Sequence, residues 1–81
     1  MELLNDMEAL GQQIRKARKR RGLLQSDVAA LLSIRRQVIS ELERGVYRGS
    51  LRRAGEVLRV LGLRFSLEPV RFPTLDELSD E

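Results

Sequence analysis

An all-α domain of four helices, followed by one C-terminal β-strand, is what this 81-residue sequence predicts. Three observations carry that prediction. Apolar residues recur at steps of three and four over most of the first 61 positions, the period of an amphipathic helix. Gly22, Ser33, Gly45 and Gly62 punctuate the pattern where helices should stop. Beyond Gly62 the apolar period falls to two.

The first helix carries Leu3, Met7, Leu10, Ile14 and Ala17 on one face. Asn5 and Glu8 stand at capping-box spacing at its start. Gly22 ends it, with Lys19, Arg20 and Arg21 in the last turn, where cations suit the negative end of the helix dipole. A short second helix spans 25–31, with Val28, Ala29 and Leu32 apolar, and Ser33-Ile34 breaks it. The third runs from about 35 to 44; of Val38, Ile39 and Leu42, the last two are best placed for the core, and Gly45 closes it. The loop Val46-Tyr47-Arg48-Gly49 leads to Ser50, an N-cap for a fourth helix over 51–61. Leu51, Ala54, Leu58 and Leu61 line its core face, Gly55 weakens it by about 1 kcal/mol relative to alanine, and Gly62 ends it.

Leu63, Phe65 and Leu67 then alternate with Arg64, Ser66 and Glu68, and Pro69 limits the strand. Nothing else in the chain reads as a strand, so its backbone groups need a partner from another molecule or stay in water. A two-stranded ribbon across a dimer axis, built on Leu63, Phe65 and Leu67, is the simple solution. The final ten residues hold Thr74 and Glu77 at capping-box spacing but are too short for a stable helix alone. The expected organisation is a helical domain over 1–62, a dimerisation strand over 63–69 and an acidic tail over 70–81.

Composition narrows the chemistry. With neither cysteine nor histidine, the chain has no disulfides, no thiolate metal site, and lacks the commonest general base and metal ligand. No inward-facing carboxylate pair suggests catalysis, so no enzyme, cofactor or metal is expected. The acidic first residues do not read as a signal peptide, and no apolar run reaches membrane-span length. The expected location is the cytoplasm, at the nucleoid, with no membrane partner. Residues 1–71 hold 15 Lys and Arg against 8 Asp and Glu, a balance of +7, while 72–81 hold Asp76, Glu77, Asp80 and Glu81 without a base, a balance of −4. A basic body suits a polyanion; the acidic tail suits a separate task or is simply a solvated end.

Two short helices joined by a tight turn form the helix-turn-helix unit, whose second helix enters the major groove of double-stranded DNA. Here it presents Arg35, Arg36 and Gln37 to base edges: arginine forks onto guanine, glutamine onto adenine. Gln25 sits at a helix start where side chain and backbone can meet a phosphate. Arg44, Tyr47 and Arg48 lie just beyond, placed to grip the DNA backbone. The KARKRRG run adds long-range attraction, or serves only as a favourable helix end.

LGQQIRKARKRRGLLQSDVA, then LLSIRRQVISELERG, then SLRRAGEVLRVLG resemble the Xre/Cro family of phage-repressor-like helix-turn-helix domains over residues 10–62. The resemblance implies a structural ion pair between helix one and the end of the recognition helix, at Arg18 and Glu43. Three positions depart from the family pattern. Leu24 and Arg35 stand where helices two and three usually have capping side chains, and Ser33 stands at the usual turn glycine. Each missing cap costs on the order of 1 kcal/mol, which Arg35 can offset with a phosphate or base contact.

The ending VLRVLGLRFSLEP is similar to the HipB-type antitoxins, in which a single C-terminal strand pairs across the dimer. That resemblance implies the antitoxin of a toxin-antitoxin operon, a homodimer that represses its own operon at an inverted repeat and binds a HipA-like kinase toxin. The alternatives are a stand-alone Xre-family regulator without a toxin, and a protein-interaction module that keeps the fold and has lost DNA binding. The Arg35-Arg36-Gln37 face argues against the last.

Overall fold

Helix ends are set by the backbone and helix faces by apolar spacing. The computed structural model describes residues 5–67 and 69. Its elements are α1 (Asn5–Arg20), α2 (Gln25–Leu32), α3 (Arg36–Arg44) and α4 (Leu51–Val60), within a residue or two of the expected bounds. These four helices form an all-α domain. The expected contributions of Leu3, the Asn5 side chain and the tail over 70–81 lie outside the described residues.

All four helices close with the same pair of hydrogen bonds. A residue one or two places past each helix donates three residues back, and the next donates five residues back. In α1 these are Gly22 to the Lys19 carbonyl (2.9 Å) and Leu23 to Arg18 (3.1 Å); in α4, Gly62 to Arg59 (3.0 Å) and Leu63 to Leu58 (2.7 Å). In α3 they are Gly45 to Leu42 (3.2 Å) and Val46 to Glu41 (3.0 Å). Such a closure puts its first residue in the left-handed region. Gly45 adopts it at φ 77°, but after α2 the position is Ser33, at φ 55°.

The starts differ. Ser50 Oγ accepts from the Arg53 amide at 3.0 Å, capping α4 as the sequence suggests. Leu24 precedes α2 and has no acceptor; instead the Asp27 carboxylate reaches back to the Leu24 amide at 2.7 Å, half of a capping box. Arg35 precedes α3 and makes no side-chain cap.

The core draws on every helix: Ile14 and Ala17, Val28 and Ala29, Ile39 and Leu42, Ala54, Val57 and Leu58, with Leu61 beyond α4. Ile14, Val28, Ile39, Leu42 and Val57 are fully enclosed. Each such side chain contributes about 1.5–3 kcal/mol of transfer free energy. Two expectations for α4 change. Leu51 is 72% exposed, because the first helical residue projects past the neighbouring helices, and Val57, not singled out above, is buried in its stead.

Packing of α1 on α3 depends on Gly11, which the sequence reading overlooked. An ideal Cβ there would lie 2.5 Å from the carbonyl oxygens of both Leu42 and Glu43. The bare glycine lets the α1 backbone rest directly on the last turn of α3, at the usual helix-interior cost of about 1 kcal/mol.

Residues 63–67 continue without helix or ladder. Leu63 packs against the core, whereas Phe65 is 40% and Leu67 98% exposed. Among the described residues this segment pairs with no other, so the expected strand and its ribbon are not seen.

Candidate nucleic-acid interface

The turn between α2 and α3 sets the geometry of everything around it. Ser33 reverses the chain, its amide donating to Ala30 at 3.2 Å and that of Ile34 to Ala29 at 3.0 Å. The half-buried Ile34 side chain anchors the turn on the core.

Behind the turn, Arg18 and Glu43 meet as a two-pronged pair. Arg18 Nε donates to Glu43 Oε2 at 2.6 Å and Nη2 to Oε1 at 3.1 Å. The side chains are only 10% and 4% exposed. The third guanidinium nitrogen, Nη1, donates to the Leu23 carbonyl at 2.8 Å, tying down the end of α1. The hydrogen bond it donates to Glu43 holds the Arg18 pKa above its ordinary value; burial opposes this, and the charge of Glu43 adds to the rise. Arg18 therefore keeps its charge at every physiological pH.

From this pair a relay runs outward. Gln25 Nε2 donates to Glu43 Oε1 at 3.1 Å, and Gln25 Oε1 accepts from Arg36 Nη1 at 2.8 Å. Turning the amide over would set oxygen against carboxylate and nitrogen against guanidinium, so its two neighbours fix its orientation. Three helices thus position one exposed guanidinium. Gln25, read from sequence as a phosphate contact, already has both ends of its amide engaged.

The remaining candidates lie on α3 or in the stretch just before and after it. Arg35 is exposed at the start of α3 in extended backbone (φ −76°, ψ 141°). Exposed Gln37 donates from Nε2 to Glu41 Oε2 at 3.2 Å. Arg44 Nε donates to Ser40 Oγ at 3.3 Å. Arg48 is exposed in the loop before α4. Among the described residues, Arg35, Arg36, Arg44 and Arg48 make no ion pair. Tyr47 is half-buried; its hydroxyl donates to the Ser50 carbonyl at 2.8 Å and its ring lies over Gly49, so it shapes the loop.

Leu63, Phe65 and Leu67 sit elsewhere. With Met7, Leu10 and Leu58 they line an apolar trough between α1 and the chain after α4. No helix among the described residues is long and apolar enough to cross a membrane.

Sequence reasoning missed the Gln25 relay, the Asp27 cap and Glu41. The last two stand at readable spacings, Asp27 three residues after Leu24 and Glu41 four after Gln37. The relay joins residues 18 and 11 positions apart and leaves no local signal.

No curated protein and no solved structure matches the chain. A helix-turn-helix family model (HTH_3) does match, over residues 14–67, about two-thirds of the length. That span includes α2, the turn, α3, and both partners of the Arg18–Glu43 pair. The chain belongs to this Xre/Cro-like helix-turn-helix family, a family of DNA-binding transcriptional regulators.

Proposed function

We propose that this protein is a homodimeric, sequence-specific repressor that binds an inverted-repeat operator in double-stranded DNA. α3 enters the major groove, where Arg35, Arg36 and Gln37 read base edges, Arg36 forking onto guanine and Gln37 onto adenine. Arg44 and Arg48 hold phosphates; Gln25 and Tyr47 border the backbone while bracing their neighbours. The observation that carries this reading is the Arg18–Glu43–Gln25–Arg36 relay. A guanidinium held in place before binding loses less side-chain freedom on contact, which favours recognition over mere attraction.

In this reading residues 1–62 bind DNA, 63–69 pair across the dimer through Leu63, Phe65 and Leu67, and 70–81 serve a different partner. The exposed Phe65 and Leu67 at the domain edge support the dimer. A second reading, the HipB-like antitoxin, draws on the tail, where Phe72, Leu75 and Leu78 stand among carboxylates, suited to docking on a HipA-like kinase toxin. No cofactor and no catalytic step enter either reading.

Selection from random duplexes tests the proposal. The expected product is a palindrome with half-sites about one helical turn apart, roughly 34 Å, bound with a steep salt dependence. Arg36→Ala should lower discrimination at one base pair by about 1–3 kcal/mol, and Arg48→Ala should weaken all sequences alike. Recovery of no preferred sequence would end the repressor reading.

A further inference from the structure

The outward face of α3 carries more than its first turn. Ile39 and Leu42 face the core; at about 100° per residue, Gln37, Ser40, Glu41 and Arg44 fall on the opposite side. They form two parallel pairs four residues apart, Gln37 with Glu41 and Ser40 with Arg44.

Glu41 is the odd member. It is a carboxylate on the same outer face as Arg44, yet among the described residues it joins no ion pair. Arg44, one turn from Ser40, donates to that hydroxyl. The hydrogen bond Glu41 does make, from the Gln37 amide, runs along the outer surface and contributes nothing to the core. On a surface pressed against DNA, a carboxylate repels phosphates and lowers affinity for every sequence. A donor on a base edge offsets that cost. In the major groove the exocyclic amino group of cytosine is the donor with which Glu and Asp pair.

We propose that Glu41 determines specificity by accepting a hydrogen bond from the N4 amino group of a cytosine next to the base read by Gln37. The inference rests on the placement of α3 in the major groove argued above. The Gln37–Glu41 bond makes the two side chains one reading unit. It occupies one N–H of the amide and leaves the other N–H and Oε1 for the edge of adenine. The carboxylate keeps lone pairs free for the cytosine.

The test uses the full chain and its selected operator, with each base pair changed in turn to the other three at fixed salt. Wild type, Glu41→Ala, Gln37→Ala and Arg36→Ala are compared, and circular dichroism checks that each variant is folded. Glu41→Ala should erase a preference for cytosine of about tenfold at one position. It should keep the preference assigned to Arg36 and bind unrelated DNA more tightly. Uniformly tighter binding with every preference intact would overturn the proposal, leaving Glu41 as a repulsive charge alone. Loss confined to the position that Gln37→Ala also affects would overturn it too, making Glu41 a positioning residue. If Arg36→Ala and Gln37→Ala change no preference at all, the groove placement itself fails and takes this inference with it.

Discussion

The four helices end alike and begin differently. Every end is closed by the same two backbone hydrogen bonds, with Leu23, Ile34, Val46 or Leu63 following the turn. Of the three described starts, only that of α4 has a side-chain cap of the usual kind, from Ser50. α2 borrows the Asp27 carboxylate, and α3 starts from an uncapped Arg35. Closure by backbone is indifferent to partners. A helix start without a cap keeps N–H groups open to an outside acceptor, and phosphate is the acceptor a helix-turn-helix protein meets there. The under-capped starts are those of the two motif helices, which suggests stability yielded for recognition at those positions.

The largest expected effect comes from the buried Arg18–Glu43 pair, which fastens an end. Glu43→Ala leaves Arg18 enclosed without its partner and should destabilise the domain by about 3–5 kcal/mol in urea unfolding. A loss below 1 kcal/mol would mean that solvent enters and the pair holds nothing together. Next comes Gly45→Ala. Its φ of 77° and a Cβ position 3.1 Å from Glu8 Cα make the substitution costly on two counts, about 1–3 kcal/mol.

The starts respond more weakly. Ser50→Ala should cost about 1 kcal/mol, and Arg35→Ser should gain a similar amount in thermal melts while weakening DNA binding. If Arg35→Ser stabilises the fold and leaves DNA affinity unchanged, the trade between capping and recognition is refuted. The smallest effect is expected at the one end closed without glycine. Ser33→Gly removes about 1–2 kcal/mol of left-handed strain but adds chain entropy worth about 0.5–1 kcal/mol, leaving a gain of about 0–1.5 kcal/mol. A loss at Ser33 would show that the hydroxyl holds the turn in some other way.

Helix spacing, glycine stops and the Ser50 cap could be read from sequence because each is a local signal, repeated or confined within a few residues. Leu51 was misread because the helical period says which side a residue takes but not where the neighbouring helix ends. Gly11 escaped because close approach of two backbones is a long-range fact, while the local sequence shows only a poor helix former. The candidate site divides along the same line. Arginines and a glutamine at the head of a recognition helix are visible in order, but the brace behind Arg36 spans three helices and exists only once they pack.

The missing side chain at Gly11 acts as a fulcrum. α3 has nine residues and is roughly 14 Å long at 1.5 Å per residue. A methyl group at position 11 would need its neighbours to withdraw by roughly 1 Å to reach ordinary van der Waals separation. If that withdrawal fell on the last turn of α3 while its first turn stayed braced by Gln25, the helix would swing by about 4°, the angle that such a shift subtends over its length. Every side chain on the outer face would keep its chemistry and lose its aim. A swap as mild as glycine for alanine, far from any base, can in this way produce a protein that still folds and still clings to DNA, but reads it out of focus.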